Sequence, residues 1–169
     1  MTKAVGAAAI LLASLFAALI HLREKRGEIT RILSVRDRLL MLERLLADRQ
    51  RPLGELFSAL AEREAGEDGF YHLLCGKMSL LREKEFSTLW RESVGECFAP
   101  MGEEFCGALY PVGERLGGSE LAGQLTALER AALELGELAR ARQERMREQR
   151  RMSVALSLCL GAFAVIILM

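Results

Sequence analysis

The sequence predicts an all-α protein, in which a bundle of six helices lies between an N-terminal and a C-terminal transmembrane helix. Three observations support this fold class. Apolar residues recur at helical spacing along most of the chain, no stretch alternates apolar and polar residues as a strand would, and an uncharged segment lies at each end. The predicted domains are a transmembrane helix at 4–22, a helical bundle at 23–151 and a transmembrane helix at 152–169.

The first segment, residues 4–22, contains nineteen residues without a charge, which suits a membrane span. A cleaved signal peptide would also be apolar, but its cleavage site needs small residues at both the −3 and the −1 position. Near the end of this segment the sequence reads Leu15-Phe16-Ala17-Ala18, which does not offer such a pair. We therefore expect the segment to be retained as an anchor.

The last predicted helix begins at Leu121, has one packed face and then becomes uncharged. Its seam positions recur at spacings of four and three. They are Leu121, Leu125, Leu128, Ala132, Leu135, Ala139, Arg142 and Met146. Six arginines lie within residues 140–151, and the eighteen residues 152–169 carry no charge. At 1.5 Å per residue these reach about 27 Å, so we expect the helix to continue into the membrane.

The net charge of the chain is zero, which argues against a protein that coats nucleic acid. The charges are nevertheless distributed unevenly along the sequence. Residues 23–51 carry nine basic and five acidic side chains, and residues 140–151 carry six and two, a net charge of +4 for each part. Residues 52–139 carry seven basic and sixteen acidic side chains, a net charge of −9. Because basic flanks stay inside, we expect residues 23–151 to be cytoplasmic.

Apolar stripes predict the first three helices between these segments. The first stripe ends before Pro52, and it comprises Ile29, Ile32, Leu33, Arg36, Leu39, Leu40, Leu42, Leu45 and Leu46. Pro52 is well placed as the first residue of the second helix, whose packed face is Leu53, Leu56, Phe57 and Leu60. A turn is predicted at 66–69. The third helix then carries Phe70, Leu73, Leu74, Lys77, Met78 and Leu81.

Three further helices follow. The fourth is predicted with Ser87 as its N-cap and with Trp90 in the core, on a face with Leu89, Val94, Cys97 and Phe98. After Pro100, the fifth carries Met101, Phe105, Leu109, Val112 and Leu116. Pro111 lies inside that pattern and predicts a break or a kink. Ser119 should cap the sixth helix.

Both uncharged segments carry small residues at a spacing of four, which lets helix backbones approach closely in a membrane. The stripes are Ala9, Ala13 and Ala17 in the first segment and Ser153, Ser157 and Gly161 in the second. Alanine-rich segments also meet this spacing by chance. The second stripe is the better candidate for helix packing within the membrane.

Few residues point to chemistry. Gly76-Lys77 has Tyr71 where the first glycine of a phosphate-binding loop belongs and Met78 where its hydroxyl residue belongs, so no ATP site is predicted. His72 and Cys75 are one turn apart, as metal ligands can be, but no second pair has ligand spacing. A half-buried histidine beside Tyr71 is the simpler interpretation. We expect no enzymatic activity, cofactor, metal or small-molecule substrate.

Glu103 and Glu104 are adjacent carboxylates at the predicted start of a helix, where acidic residues complement the helix dipole. The structural interpretation is that they stabilise this end of the helix. The functional one is that they belong to an acidic surface that a basic partner binds, with charge complementarity steering the association.

Several short motifs resemble stage III sporulation protein AB of endospore-forming bacteria. They are Leu42-Glu43, Pro52-Leu53-Gly54-Glu55, Trp90, Gly113 with Leu116-Gly117-Gly118-Ser119, and Gly123-Gln124, followed by the arginine-rich stretch and the apolar tail. The resemblance spans essentially the whole chain. Where the family often has aspartate, this chain has Ser119-Glu120 and the pair Glu103-Glu104. We name Glu103, Glu104 and Gln124 as candidate partner-binding residues.

The resemblance implies a role in the mother-cell membrane around the forespore. Members are similar to the cytoplasmic domain of the inner-membrane platform protein of type II secretion and type IV pilus machines. A secretion-type ATPase and other channel proteins are the implied partners, with a homo-oligomer also open. One alternative is a platform-like assembly protein of a pilus or secretion system outside sporulation. The other is a membrane-bound sensor that uses His72 and Cys75.

Overall fold

A computed structural model of the chain describes residues 26–48, 52–63, 69–118 and 120–168, without the side chains of residues 82, 150, 151 and 153–168. Regular structure in these ranges is entirely helical, which confirms the predicted all-α class. Residues 26–47 form α1. The other helices are α2 (Leu53–Glu62), α3 (Phe70–Lys77), α4 (Phe86–Phe98), α5 (Glu103–Leu116) and α6 (Leu121–Leu168). Short 3₁₀ turns follow α3 at Met78–Arg82 and α4 at Ala99–Met101.

The described residues divide into two compact units. One is Arg31–Leu138, and it contains α2 to α5 with parts of α1 and α6. The other comprises the described residues 26–30 and 139–168. Within this second unit, an Arg142 nitrogen lies 3.5 Å from a Glu28 carboxylate oxygen, and Ala139 is buried.

Aromatic rings fill the centre of the Arg31–Leu138 unit. Trp90 is fully buried, with the ring of Phe70 edge-on at a centroid distance of 5.0 Å. The rings of Phe86 and Phe57 lie 6.0 and 6.3 Å from it. The void beside Trp90 is only about 10 Å³. Edge-to-face ring pairs of this kind add about 0.5–1.5 kcal/mol to the gain from burial. The predicted core position of Trp90 is confirmed.

Helices α4 and α5 meet at two glycines. A Cβ on Gly113 would lie 2.4 Å from Trp90 Cδ1, so only glycine fits beneath the indole. One turn earlier on α5, the Leu109 carbonyl accepts a hydrogen bond of 2.8 Å from Trp90 Nε1. One turn later, a Cβ on Gly117 would lie 3.3 Å from Phe86 Cβ. The resemblance therefore rests in part on residues that set this helix crossing.

The predicted stripes of α1 and α6 are buried or half-buried along the described residues. In α1 the buried residues are Ile32, Val35, Leu39, Leu42 and Leu46. Sequence reasoning missed Val35 and chose its neighbour Arg36, which is only half-buried. In the part of α6 that belongs to the Arg31–Leu138 unit, Leu128, Ala132 and Leu135 are buried and Leu121 and Leu125 are half-buried. In the other unit, Ala139 is buried and Arg142 and Met146 are half-buried. The alternating spacing of four and three therefore located the packed face of α6.

Two predicted helix starts are shifted. Pro52 is the N-cap of α2 and not its first helical residue. The N-cap of α4 is Glu85, so Ser87 lies inside the helix, where its hydroxyl oxygen is 3.4 Å from the Glu85 carboxylate. The physical reason is Phe86, whose ring stacks on Phe57 at 5.8 Å. Packing of this ring into the core includes Phe86 in the helix, so α4 begins before Ser87. Ser119, the predicted cap of α6, lies outside the described residues.

The third helix ends earlier than predicted. Helix α3 stops at Lys77, and the chain tightens into the 3₁₀ turn, where the Ser79 hydroxyl donates to the Gly76 carbonyl at 3.0 Å. Such local side-chain bonds compete with the helical pattern. Leu81, predicted on the packed face, is 41% exposed, and its neighbour Leu80 is 39% exposed.

Helix α5 is continuous through Pro111, so the predicted break is wrong. Proline removes the hydrogen bond to the carbonyl four residues earlier, that of Gly107. Both Pro111 and Gly107 lie on the exposed side of α5, where water replaces the lost donor.

The membrane predictions concern the ends of the chain. Among the described residues, no helix combines the length and the apolar content needed to cross a bilayer. The predicted segment 4–22, with its alanine stripe, lies outside the described residues. The predicted segment 152–169 has a helical backbone as far as Leu168, in α6, but its side chains after Met152 lie outside them. The packing stripe Ser153, Ser157 and Gly161 is among these, and both segments stay predictions.

Candidate partner-binding surface

Two adjacent carboxylates open α5. Glu103 and Glu104 are its first two residues, as predicted, and both side chains are exposed. Gly102 precedes them with a φ of 95°, a conformation that favours glycine, and the chain turns there from the 3₁₀ turn into α5. The helix dipole stabilises negative charge at such an exposed N-terminus by about 0.3–1 kcal/mol.

The Glu103 and Glu104 carboxylates make no ion pair within the described part of the chain. Other acids of the same unit are neutralised. The Lys77 ammonium lies 2.6 Å from the Glu96 carboxylate, and the Arg91 guanidinium lies 3.0 Å from that of Glu114. The start of α5 therefore presents two uncompensated negative charges.

Glu92 shows what a paired acid on this domain looks like. The Lys84 ammonium donates a hydrogen bond of 2.6 Å to its carboxylate, and Lys77 adds a second positive charge at 3.9 Å. The hydrogen bond from Lys84 lowers the pKa of the Glu92 carboxyl from its ordinary value. This pairing holds the segment after α3 against α4.

A groove of about 660 Å³ runs between α5 and α6, within the Arg31–Leu138 unit. Small residues make up most of its lining: Ala108 and Pro111 from α5, and Ala122, Gly123, Ala127 and Ala131 from α6. Its polar lining comes from Arg115, Thr126, Arg130 and Glu134. Because few of these side chains are long, the two helices leave a furrow between them that no described residue fills. We call this furrow the α5–α6 groove.

The groove has one acidic end. Glu104 lies one turn before Ala108 on α5, and Glu137 lies three residues after Glu134 on α6, so each follows the groove-lining face of its helix. Both side chains are exposed. A short connection joins α5 to α6, so the two helices run antiparallel and these acids approach the same end. We call Glu103, Glu104 and Glu137 the acidic end of the groove.

The other charges of the groove are basic or neutralised. Arg130 Nε lies 2.9 Å from Glu134 Oε1, an i,i+4 pair along α6. Arg115 is exposed in the last turn of α5, at the end of the groove opposite Glu104. The groove is therefore apolar along its floor and changes from acidic to basic along its length.

Gln124, the third candidate partner-binding residue, has an internal contact. Its Nε2 donates a hydrogen bond of 3.4 Å to the Leu116 carbonyl, and the side chain is half-buried. Leu116 is the last residue of α5, whose final carbonyls have no partner within the helix. The structure thus gives Gln124 a position that ties the start of α6 to the end of α5, apart from the exposed Glu103 and Glu104.

The residues considered for metal binding are not gathered into a site. His72 is exposed, so the expectation that it is half-buried beside Tyr71 is wrong, and Cys75 is half-buried. The reason is that Tyr71 and Leu74 face the core, which turns His72 outward. Within the described ranges no three side chains of histidine, cysteine, aspartate or glutamate come together as metal ligands.

The sequence predicts Glu103 and Glu104 as candidates but does not predict the groove. The available signal was the run of small residues at helical spacing, Gly123, Ala127 and Ala131 on α6 facing Ala108 on α5. The sequence analysis assigns a packing role to small residues only in the two uncharged segments. Whether such a stripe meets a neighbouring helix or leaves a furrow depends on how far apart the helices lie.

Comparison with known proteins gives one result. The family model of stage III sporulation protein AB matches residues 3–169, nearly the entire chain. Neither the curated proteins nor the solved structures provide a match.

Proposed function

The chain belongs to the stage III sporulation protein AB family, and we propose that it is a membrane-anchored docking protein of the channel complex between mother cell and forespore. In this role it performs no reaction of its own and couples a secretion-type ATPase to the membrane complex. Family membership implies a sporulation-related role, which disfavours a platform protein of a pilus or secretion system outside sporulation.

One observation carries the docking proposal. The exposed pair Glu103 and Glu104 makes no ion pair within the described residues and stands at the end of an open groove. The surrounding part of the sequence, residues 52–139, has a net charge of −9. A basic partner surface would be drawn to this region and oriented by it, because complementary charge raises the rate of association and fixes register.

The membrane part of the proposal depends on the two uncharged segments and their basic flanks. Positive charge beside both segments would hold the bundle on the cytoplasmic side, where an ATPase has its nucleotide. Cysteines introduced singly at Thr2 and Glu67 test this. In intact cells, a thiol reagent that does not cross membranes should label the Thr2→Cys variant and spare the Glu67→Cys variant, with the wild-type chain as background. Labelling at Glu67 would contradict the topology.

Charge reversal tests the docking surface. We expect the double variant Glu103→Lys/Glu104→Lys to bind the purified ATPase at least tenfold more weakly than the wild-type full chain in detergent micelles. The matched control is Glu83→Lys/Glu85→Lys. These residues are also exposed, also precede or open a helix, and change the net charge by the same amount.

The comparison should be made at low salt, where surface charges are least screened. If both double variants lose affinity equally, the acidic body attracts the partner only through its total charge, and Glu103 and Glu104 are not the contact. If neither variant loses affinity, charge does not direct this docking. Circular dichroism of each variant verifies that the helices are intact.

A further inference from the structure

We propose that the α5–α6 groove receives one amphipathic helix of the ATPase partner, with large apolar residues along the face that enters the groove and basic residues at the end that meets Glu103, Glu104 and Glu137. This inference rests on the docking function proposed above and specifies its contact. In addition to the acidic pair Glu103 and Glu104, the floor of the groove would contact the partner.

The shape of the groove suits a helix. Its floor consists of Gly123 and Ala127, which are half-buried, with Ala108 and Ala131 beneath them at only 7% and 2% exposure, and the side chain of each is a methyl group or less. Large side chains of a third helix can therefore enter between α5 and α6, as ridges of one helix enter the grooves of another. An extended peptide would have no free strand edge to pair with, since the described part of the unit is entirely helical.

The length of the groove sets the size of the binding segment. Its α6 wall runs from Ala122 to Glu134, which is about 18 Å at 1.5 Å per residue. A bound helix of some three turns would place side chains at positions i, i+3 or i+4, and i+7 along this wall. The volume of about 660 Å³ is of the order that binding clefts provide.

Charge sets the direction of the bound helix. The acidic end attracts basic side chains, and Arg115 at the other end attracts acidic ones. Arg130 and Glu134 neutralise each other on the wall between them, which leaves the middle of the groove for apolar contact. A helix of reversed direction would place its basic residues beside Arg115 and away from the acidic end, which costs affinity.

A second copy of this chain fits the groove less well. Leu133 is 64% exposed on α6 and could enter the groove of another copy. However, residues 52–139 of each copy carry a net charge of −9, so two copies repel each other through the same acidic bodies that attract a basic partner. The charge therefore favours a basic helix from a different protein.

The experiment compares two tryptophans on one helix. Thr126→Trp places an indole in the groove, whereas Leu133→Trp places it on an exposed part of α6 that does not line the groove. Binding of the purified ATPase to the full chain in detergent micelles is measured for both. We expect Thr126→Trp to weaken binding at least tenfold and Leu133→Trp to change it less than twofold.

A photo-crosslinking amino acid at each of these positions provides a second measurement that needs no loss of binding. From position 126, the crosslink should map to one helical ATPase segment with an apolar face and a basic end, and position 133 should give no such crosslink. Equal binding by both tryptophan variants, or crosslinks from position 126 to a second copy of the chain, would overturn the groove assignment while docking itself survives. Absence of ATPase binding by the wild-type chain would overturn both proposals.

Discussion

Helix α5 has two sides that differ in how much space they leave. Towards α4 there is none, because a single methyl group at Gly113 would lie 2.4 Å from the Trp90 ring. Towards α6 there is a groove of about 660 Å³ floored by alanine and glycine. Both sides use small residues, yet on one side a bulky ring fills the space and on the other nothing in the described residues does.

This difference separates two uses of small side chains. At the α4 side, glycine lets an indole approach the backbone and donate to the Leu109 carbonyl, which stabilises the fold. At the α6 side, the small residues keep the surface open at little cost to folding, because the seam Leu128, Ala132 and Leu135 already secures α6. A closed interface of this kind serves stability, and an open one is available for binding.

The largest effect is expected at the closed side. Gly113→Ala should destabilise the fold by about 3 kcal/mol, the upper part of the range for overpacking, because the new methyl group collides with a buried ring that has no room to move. Thermal or denaturant unfolding of the full chain in detergent, followed by circular dichroism, measures this.

Gly107→Ala is the control for Gly113→Ala on the same helix. A Cβ there meets nothing within 4 Å, so alanine should stabilise α5 by about 0.5–1 kcal/mol through its helix propensity. Opposite signs for the change in the free energy of unfolding at Gly113 and Gly107 would support the contrast between the two sides of α5. If alanine at Gly113 leaves the stability unchanged, the side of α5 that faces α4 is not closely packed and the contrast is wrong.

A smaller effect is expected at the open side. Ala127→Leu adds a large side chain to the groove, where space is available, so the free energy of unfolding should change by less than about 1 kcal/mol. Ala132→Leu is the comparison, because Ala132 is buried in the seam, five residues further along the same helix. This substitution should strongly destabilise the fold. Equal destabilisation by the two leucines would mean that the groove closes in solution.

The smallest effect is expected at the polar edge of α4. Because its ion pair with Lys84 lowers the pKa of Glu92, this carboxylate stabilises the fold above its ordinary pKa of 4.5 and loses that contribution as pH falls through the lowered value. The wild type and Glu92→Gln should therefore differ in melting temperature at neutral pH and converge in acid. Glu83→Gln, an exposed acid in the same segment, is the control. A difference that persists in acid would assign the effect to something other than charge.

The apolar periodicity of the sequence correctly predicted those features that depend on burial in the hydrophobic core. The seam of α6 and the burial of Trp90 followed from apolar spacing alone, because burying those side chains outweighs local preferences. Predictions from local residue preferences, such as N-cap preference, were wrong where core packing favoured a different helix boundary. Ser87 is a good N-cap by residue type, but the ring of Phe86 stacks in the core and the helix starts before it.

Only part of the candidate binding surface could be predicted from the sequence. Adjacent acids at a helix start can be recognised directly, so the position of Glu103 and Glu104 at the start of α5 was predicted correctly. The groove depends on the distance between α5 and α6, which a one-dimensional pattern does not contain. Likewise, Gln124 stands in a family motif, but only the coordinates show that its amide bonds to the end of α5. Motif membership alone did not distinguish a structural contact from a binding one.

The two glycine contacts of α5 also fix its axial register. Trp90 sits over Gly113 and Phe86 over Gly117, so two rings one turn apart on α4 match a glycine in α5 and the glycine that caps its C-terminus one turn later. A slip of one turn, about 5.4 Å, would either bring Leu109 under the indole or carry Phe86 away from Gly117 and off the helix. Helices α4 and α5 therefore cannot ratchet past each other. We therefore expect α4 and α5 to move together, as one unit, in any rearrangement of the domain.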